Sequence, residues 1–183
     1  MAQTSRSLAS GGFIGHVPVV KARRPFYVRF SGMARNFSRK NMNTLNSVGK
    51  ISQLVGLAIE DVANVKENPA YVFNVGFWHV PLHTGRCSVC IAGAVMAGTL
   101  ESDPALAVYP TDFDSDTRDK LSLINGMRKR EAWAHDLQYL FGMTPEQKEK
   151  TVGICNEFHN EELDAGDLKA WRKLHEALQA AGL

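Results

Sequence analysis

The chain has 183 residues, 44 % of them hydrophobic and 22 % charged, which suits one globular domain with a sizeable core and argues against a disordered or fibrous protein. Its longest weakly polar stretch, Cys87 to Leu100, covers 14 residues, short of the roughly 20 that cross a bilayer, so no transmembrane helix is expected. Three cysteines, with no secretory signal built on an apolar centre, argue against a disulfide framework and point to a reducing cytoplasm.

The net charge of +2 hides a division. Residues 1–50 hold nine of the 21 Lys and Arg and none of the 19 Asp and Glu, so this part is +9 and residues 51–183 are −7. Such asymmetry marks a tail that binds polyanions or one that folds back on an acidic body. Residues 1–41, with Gly11, Gly12, Pro18 and Pro25 and no sustained apolar period, form a basic arm expected to be disordered or only locally ordered. Its Pro25 to Phe30 stretch is able to pair as a short strand. Three readings of the arm stand: a binding arm, an organelle transit peptide, or in-frame sequence upstream of a true start at Met42. In the first, Arg23, Arg24, Arg29, Arg35, Arg39 and Lys40 are the candidate nucleic-acid-binding residues, because cations there would neutralise phosphates.

Residues 42–183 read as a single, mainly α domain (α+β). The expected architecture is a compact bundle of about five helices around a small-residue central helix, with one minor β element. Leu45, Val48, Ile51, Leu54, Val55, Ala58, Val62 and Val65 recur at spacings of three and four, which predicts an amphipathic helix over 44–66. Asn68-Pro69 ends it. Residues 71–78 are aromatic and β-branched enough for a strand, and 79–85 read as a loop. Residues 88–100, with Ala92, Gly93, Ala94, Ala97 and Gly98, predict a helix with almost no polar face, hence a central one. Asp114 or Ser115 is placed to cap a helix over 116–129. Arg130 to Phe141 predicts another, with Trp133, Leu137 and Leu140 on one side. Thr144-Pro145-Glu146-Gln147 has the pattern of a capping box. A last helix over 167–181 carries Leu168, Trp171, Leu174 and Leu178 as its apolar stripe.

Chemistry concentrates between Trp78 and Cys90, where two imidazoles and two thiols fall within twelve residues. His79, His83, Cys87 and Cys90 could close a tetrahedron around zinc, although the spacing matches no common finger and Pro81 lies between the histidines. No other cofactor is implied. Alternatively Cys90, in the first turn of a helix, would have its pKa lowered by the helix dipole and act as a nucleophile, with His79 as a candidate catalytic partner. Cys87-Ser88-Val89-Cys90-Ile91-Ala92 resembles the active-site segment of papain-like cysteine proteases over about a dozen residues, without that pattern's aromatic residue and preceding Gln. His135 and His159 are the other candidates for the base. The plainer reading makes Cys87 and Cys90 small buried hydrophobes. The run Asp112 to Thr117 fails as a calcium loop, since Thr117 and Leu123 stand where Gly and Glu are required, and helix capping accounts for it.

Trp78-His79-x-Pro81, Cys87-x-Val89-Cys90-x-Ala92-Gly93-Ala94-Val95-Met96-Ala97 and Tyr109-Pro110-x-Asp112-Phe113 together resemble a group of small uncharacterised proteins of bacteriophages and bacteria, over residues 57–130. The resemblance implies a cytoplasmic product and brings no activity, ligand or catalytic residue. The expected function is a binding or regulatory module that engages a protein partner without catalysis. The alternatives are a cysteine-dependent hydrolase centred on Cys90 and nucleic-acid binding through the arm.

Overall fold

Leu45, Val48, Ile51, Leu54, Val55, Ala58, Val62 and Val65 are all buried, as their helical spacing requires. The computed structural model describes residues 44–128 and 136–183, and within them the predicted helix is divided. Helix α1 runs Ile51–Glu67, preceded by an extended Lys50 at φ −136°, ψ 148°. Two polar side chains explain the break. Gln53 Oε1 accepts from the amides of Gly49 at 3.0 Å and Lys50 at 3.1 Å. The carbonyls those amides would have used in a continuous helix, on Leu45 and Asn46, accept instead from the buried Lys120 ammonium at 3.0 and 3.3 Å. Asp116 faces the same ammonium at 3.0 Å.

Past Asn68 the chain forms a small sheet where one strand and a loop were expected. Strand β1 is only Tyr71–Phe73. Asn74 stops it, its Oδ1 accepting from the Gly76 amide at 3.0 Å and its carbonyl from the Phe77 amide at 3.2 Å, a turn Asn favours. The chain reverses into β2, His79–Pro81, and returns as β3, Cys87–Val89. The strand order is β1-β3-β2, with β3 parallel to β1 and antiparallel to β2. Pro81 fits because β2 lies at the edge of the sheet. Strand β3 is buried throughout, so it shows none of the alternation by which a sequence announces a strand.

Helix α2, Ile91–Ala97, begins where β3 ends, and its first six residues are all buried. It packs on α1, on β2 and β3, and on α3, Ser115–Gly126. Asp114 caps α3, accepting from Thr117 N at 2.9 Å. The predicted helix over Arg130 to Phe141 falls partly on 129–135, outside the described residues; its end is helix α4, Leu137–Phe141, closed by Gly142 at φ 60°. The capping box is formed: Thr144 Oγ1 accepts from Gln147 N at 3.2 Å and Gln147 Oε1 from Thr144 N at 2.9 Å, opening α5, Pro145–Phe158. A short helix α6, Glu161–Asp164, was not expected. It leads to α7, Leu168–Ala180, whose Trp171, Leu174 and Leu178 are buried and which packs along α1. The described residues are thus mainly helical with one three-stranded sheet, and no helix among them is long and apolar enough to cross a membrane.

Two glycines separate packing from propensity. A Cβ on Gly93 in α2 would overlap the Trp78 carbonyl, whereas one on Gly153 in α5 meets nothing within 4 Å. Gly93→Ala is expected to cost about 3 kcal/mol, the upper end of overpacking, and Gly153→Ala to gain about 0.5–1 kcal/mol by helix propensity. Urea unfolding of both variants checks the pair, and a neutral Gly93→Ala would show that α2 is not held against Trp78.

Candidate functional site

Antiparallel pairing of β2 with β3 brings His79 beside Cys87. Both are wholly buried. Cys87 Sγ lies 3.5 Å from His79 Nδ1, and the same nitrogen is 3.0 Å from the Leu106 carbonyl. A carbonyl only accepts, so Nδ1 carries the hydrogen and donates it to Leu106. The nitrogen facing the thiol therefore has no lone pair to receive the thiol's proton. His79 Nε2 is buried without a hydrogen-bond partner among the described residues, as is Ser102 Oγ. Burial pushes the His79 pKa below its usual range, opposed by the Leu106 bond, and drives the Cys87 thiol up to about 11. Tyr71 closes the cluster, its ring edge-on to His79 at 6.0 Å and its hydroxyl donating to the Ser102 carbonyl at 3.1 Å. Burial drives its pKa up to about 12.

Cys90 is the residue before α2, as the sequence implied, but the expected lowering of its pKa is reversed. The side chain is 2 % exposed. Burial raises the pKa, outweighing the Gly93 and Ala92 amides and the nearby Arg128 cation, which pull the other way. Arg128 is itself buried, donating to the Val75 carbonyl at 2.8 Å and to Asn125 Oδ1 at 3.1 Å. The third thiol, Cys155 in α5, is buried and pushed up to about 12.

Of the four expected zinc ligands, His79 and Cys87 meet and His83 is exposed. No group of three His, Cys, Asp or Glu able to hold a metal is present among the described residues. His159 lies 3.9 Å from Asp164 Oδ1. His135 and the arm residues Arg23, Arg24, Arg29, Arg35, Arg39 and Lys40 lie outside the described residues. The acidic run does cap: besides Asp114 on α3, Asp112 Oδ2 accepts from Tyr109 N at 2.8 Å.

Sequence reading missed a carboxylate on the apolar face of α1. Asp61, three residues after the buried Ala58 and beside the buried Val62, is 6 % exposed. Its Oδ2 accepts from Thr99 Oγ1 at 2.6 Å and from Thr99 N at 3.2 Å, just past the end of α2. Gly98 lets the chain come this close, since a Cβ there would overlap Asp61 Oδ1. Burial outweighs both Thr99 bonds and raises the Asp61 pKa from 3.8 to about 6, with a small push from Glu60. The carboxylate borders an open surface pocket of about 290 Å³ whose lining includes Thr44, Asn64, Thr99 and Glu101. Glu101 is a non-glycine residue in the left-handed region, at φ 48°. Farther along α1, Gly56, Ile59, Glu60 and Ala63 face Arg172 and His175 of α7 across an open groove of about 520 Å³. An acidic residue at a helical core spacing was the available signal; its partner Thr99 lies 38 residues away and gave none.

Asp61 makes stability fall as pH rises. Below about pH 4 the carboxyl is protonated in folded and unfolded chains alike; as pH passes the folded pKa of about 6, ionisation costs the folded state about 3 kcal/mol. Asp61→Asn keeps an acceptor for Thr99 and removes that cost. In urea unfolding across about pH 4 to 8, the variant is expected to gain a few kcal/mol on the parent; parallel profiles would refute the assignment. The depressed pKa of His79 acts in the opposite sense, being unfavourable in acid, but it is common to both proteins and cancels in their difference.

No protein-family model, no curated protein and no solved structure matches the chain.

Proposed function

We propose that the chain is a binding or regulatory module that engages a partner protein without covalent catalysis. The observation that carries this reading is the protonation of the His79–Cys87 pair. The imidazole nitrogen facing the thiol already donates to Leu106, so the pair is in the wrong tautomer for a thiol–imidazole nucleophile. Cys90 is sealed and its thiol is pushed away from thiolate. The open groove between α1 and α7, with Arg172 and His175 on one side and Glu60 on the other, is a face on which a partner could make both polar and apolar contacts. The resemblance to small phage and bacterial proteins favours the cytoplasm as the place of action.

Thiol labelling of the native protein at neutral pH, with zinc measured in the same sample, tests this. All three cysteines are expected to label slowly, at a rate set by opening of the fold, and without stoichiometric zinc. Rapid labelling of Cys90 alone would favour the hydrolase, and protected thiols with one zinc per chain would favour a structural metal held by some of His79, His83, Cys87 and Cys90.

The acid-free composition of residues 1–50 supports a second reading, nucleic-acid binding through the arm. It predicts affinity for DNA or RNA that falls steeply with salt, by about 0.9 log units per tenfold salt for each phosphate contact on duplex DNA. Binding that survives deletion of residues 1–41 would remove this reading.

A further inference from the structure

We propose that the cavity beside Asp61 is a binding site for an organic cation, a terminal ammonium or guanidinium group. Asp61 is 6 % exposed, and only one of its carboxylate oxygens is used inside the protein: both Thr99 bonds go to Oδ2. Oδ1, packed against Gly98, takes no hydrogen bond among the described residues. A largely buried carboxylate whose described donors all go to one oxygen can gain further donors from whatever occupies the open pocket it borders. The cavity brings a second carboxylate, Glu101, together with the polar side chains of Thr44, Asn64 and Thr99, and its described lining contains no Lys or Arg. Glu60, also negative, acts on Asp61 as well. Among the described residues, the charged groups at the site, Asp61, Glu101 and Glu60, all have the sign that attracts a cation.

Size narrows the class. At about 290 Å³ the cavity falls at or below the lower end of the roughly 300–1,000 Å³ of drug-sized sites, which suits the head of one side chain or a small amine. With two carboxylates and no third His, Cys, Asp or Glu gathered among the described residues, the donor set is poor for a metal ion, which takes 6–8 oxygens when it is calcium. An ammonium needs only two or three acceptors for its N–H groups, and a guanidinium five. Glu101 holds its left-handed backbone at a position where Gly would be the relaxed choice, and that conformation keeps a carboxylate at the rim. The same ligand chemistry is available from a free amine or from a Lys or Arg side chain of a partner protein. The site deepens the binding reading by giving it a ligand class, and its readout is independent of the thiols.

The test is the ¹³C titration of the Asp61 carboxyl in the full chain, with n-butylammonium or ethylguanidinium chloride as probe and sodium chloride at matched ionic strength as control. Binding to the ionised form is expected to lower the Asp61 midpoint and to tighten as pH rises through about 6. Perturbed amides should cluster at Asn64, Thr99 and Glu101, and Asp61→Asn should abolish them. Glu101→Gly, which relieves the backbone and removes the second carboxylate, is expected to weaken binding several-fold while the fold is kept. A short peptide carrying one lysine separates the sources: binding at least as tight as the free amine assigns a partner's side chain, and binding tenfold weaker assigns a free amine. An Asp61 midpoint unmoved at about 50 mM probe, or perturbations that persist in Asp61→Asn, would overturn the proposal. So would a midpoint that moves with magnesium or calcium and not with the amines, or a Glu101→Gly variant that binds as the parent does.

Discussion

A helix with no polar face has to be covered on every side, and that constraint organises the described residues. Helix α2 is seven residues of Ile, Val, Met, Ala and Gly; alone it has neither the length to persist in water nor a surface to present to it. The sheet covers its start, α1 one flank and α3 another. Small side chains are what allow the cover to come close: Gly93 admits the Trp78 carbonyl and Gly98 admits the Asp61 carboxylate. The long stripes of α1 and α7 pack against each other, and Trp171 of the α7 stripe donates its indole nitrogen to the Leu163 carbonyl at 3.1 Å.

The same enclosure decides the chemistry of the groups at its edge. Cys87, Cys90 and His79 carry the residue types of a nucleophile and its base, yet their protonation follows from position. Exposed at a helix N-terminus, a thiol gains from the dipole. Cys90 stands at such a terminus and is 2 % exposed, so the loss of hydration outweighs the dipole and the thiol stays protonated. His79 is spared a larger cost because a neutral imidazole needs one donor bond and finds it at Leu106.

What was legible in the sequence was whatever repeats. The face of α1, the stripe of α7 and the Thr144 to Gln147 box could be read because periodicity and capping are local properties. Strand β3 could not, since three buried residues between a loop and a helix look like the helix's first turn. The break before α1 depends on Lys120, some 75 residues away from the carbonyls it takes, and no local rule reports that. The histidine and thiols were found by residue type, which identifies who is present and says nothing of which nitrogen carries a proton. Asp61 was passed over for the opposite reason: its spacing placed it in the core, where a carboxylate is unexpected, and that conflict between pattern and residue type was the signal.

That conflict also separates Asp61 from the other buried polar groups. Lys120 is buried but has two carbonyls and Asp116 around its ammonium, so its charge is balanced within the fold. Arg128 spends its donors on Val75 and Asn125. Asp61 has only Thr99 as a donor among the described residues, borders an open pocket, and has a pKa raised well above the carboxylate range. Uncompensated burial of a charge is destabilising, and the proteins that carry such a group commonly do so at a site that handles a ligand. A counter-charge arriving from outside would remove the imbalance by the same physics that creates it, by replacing lost water with donors. The ionisation of Asp61, which costs the fold stability in neutral solution, is therefore also the cost a bound cation would offset.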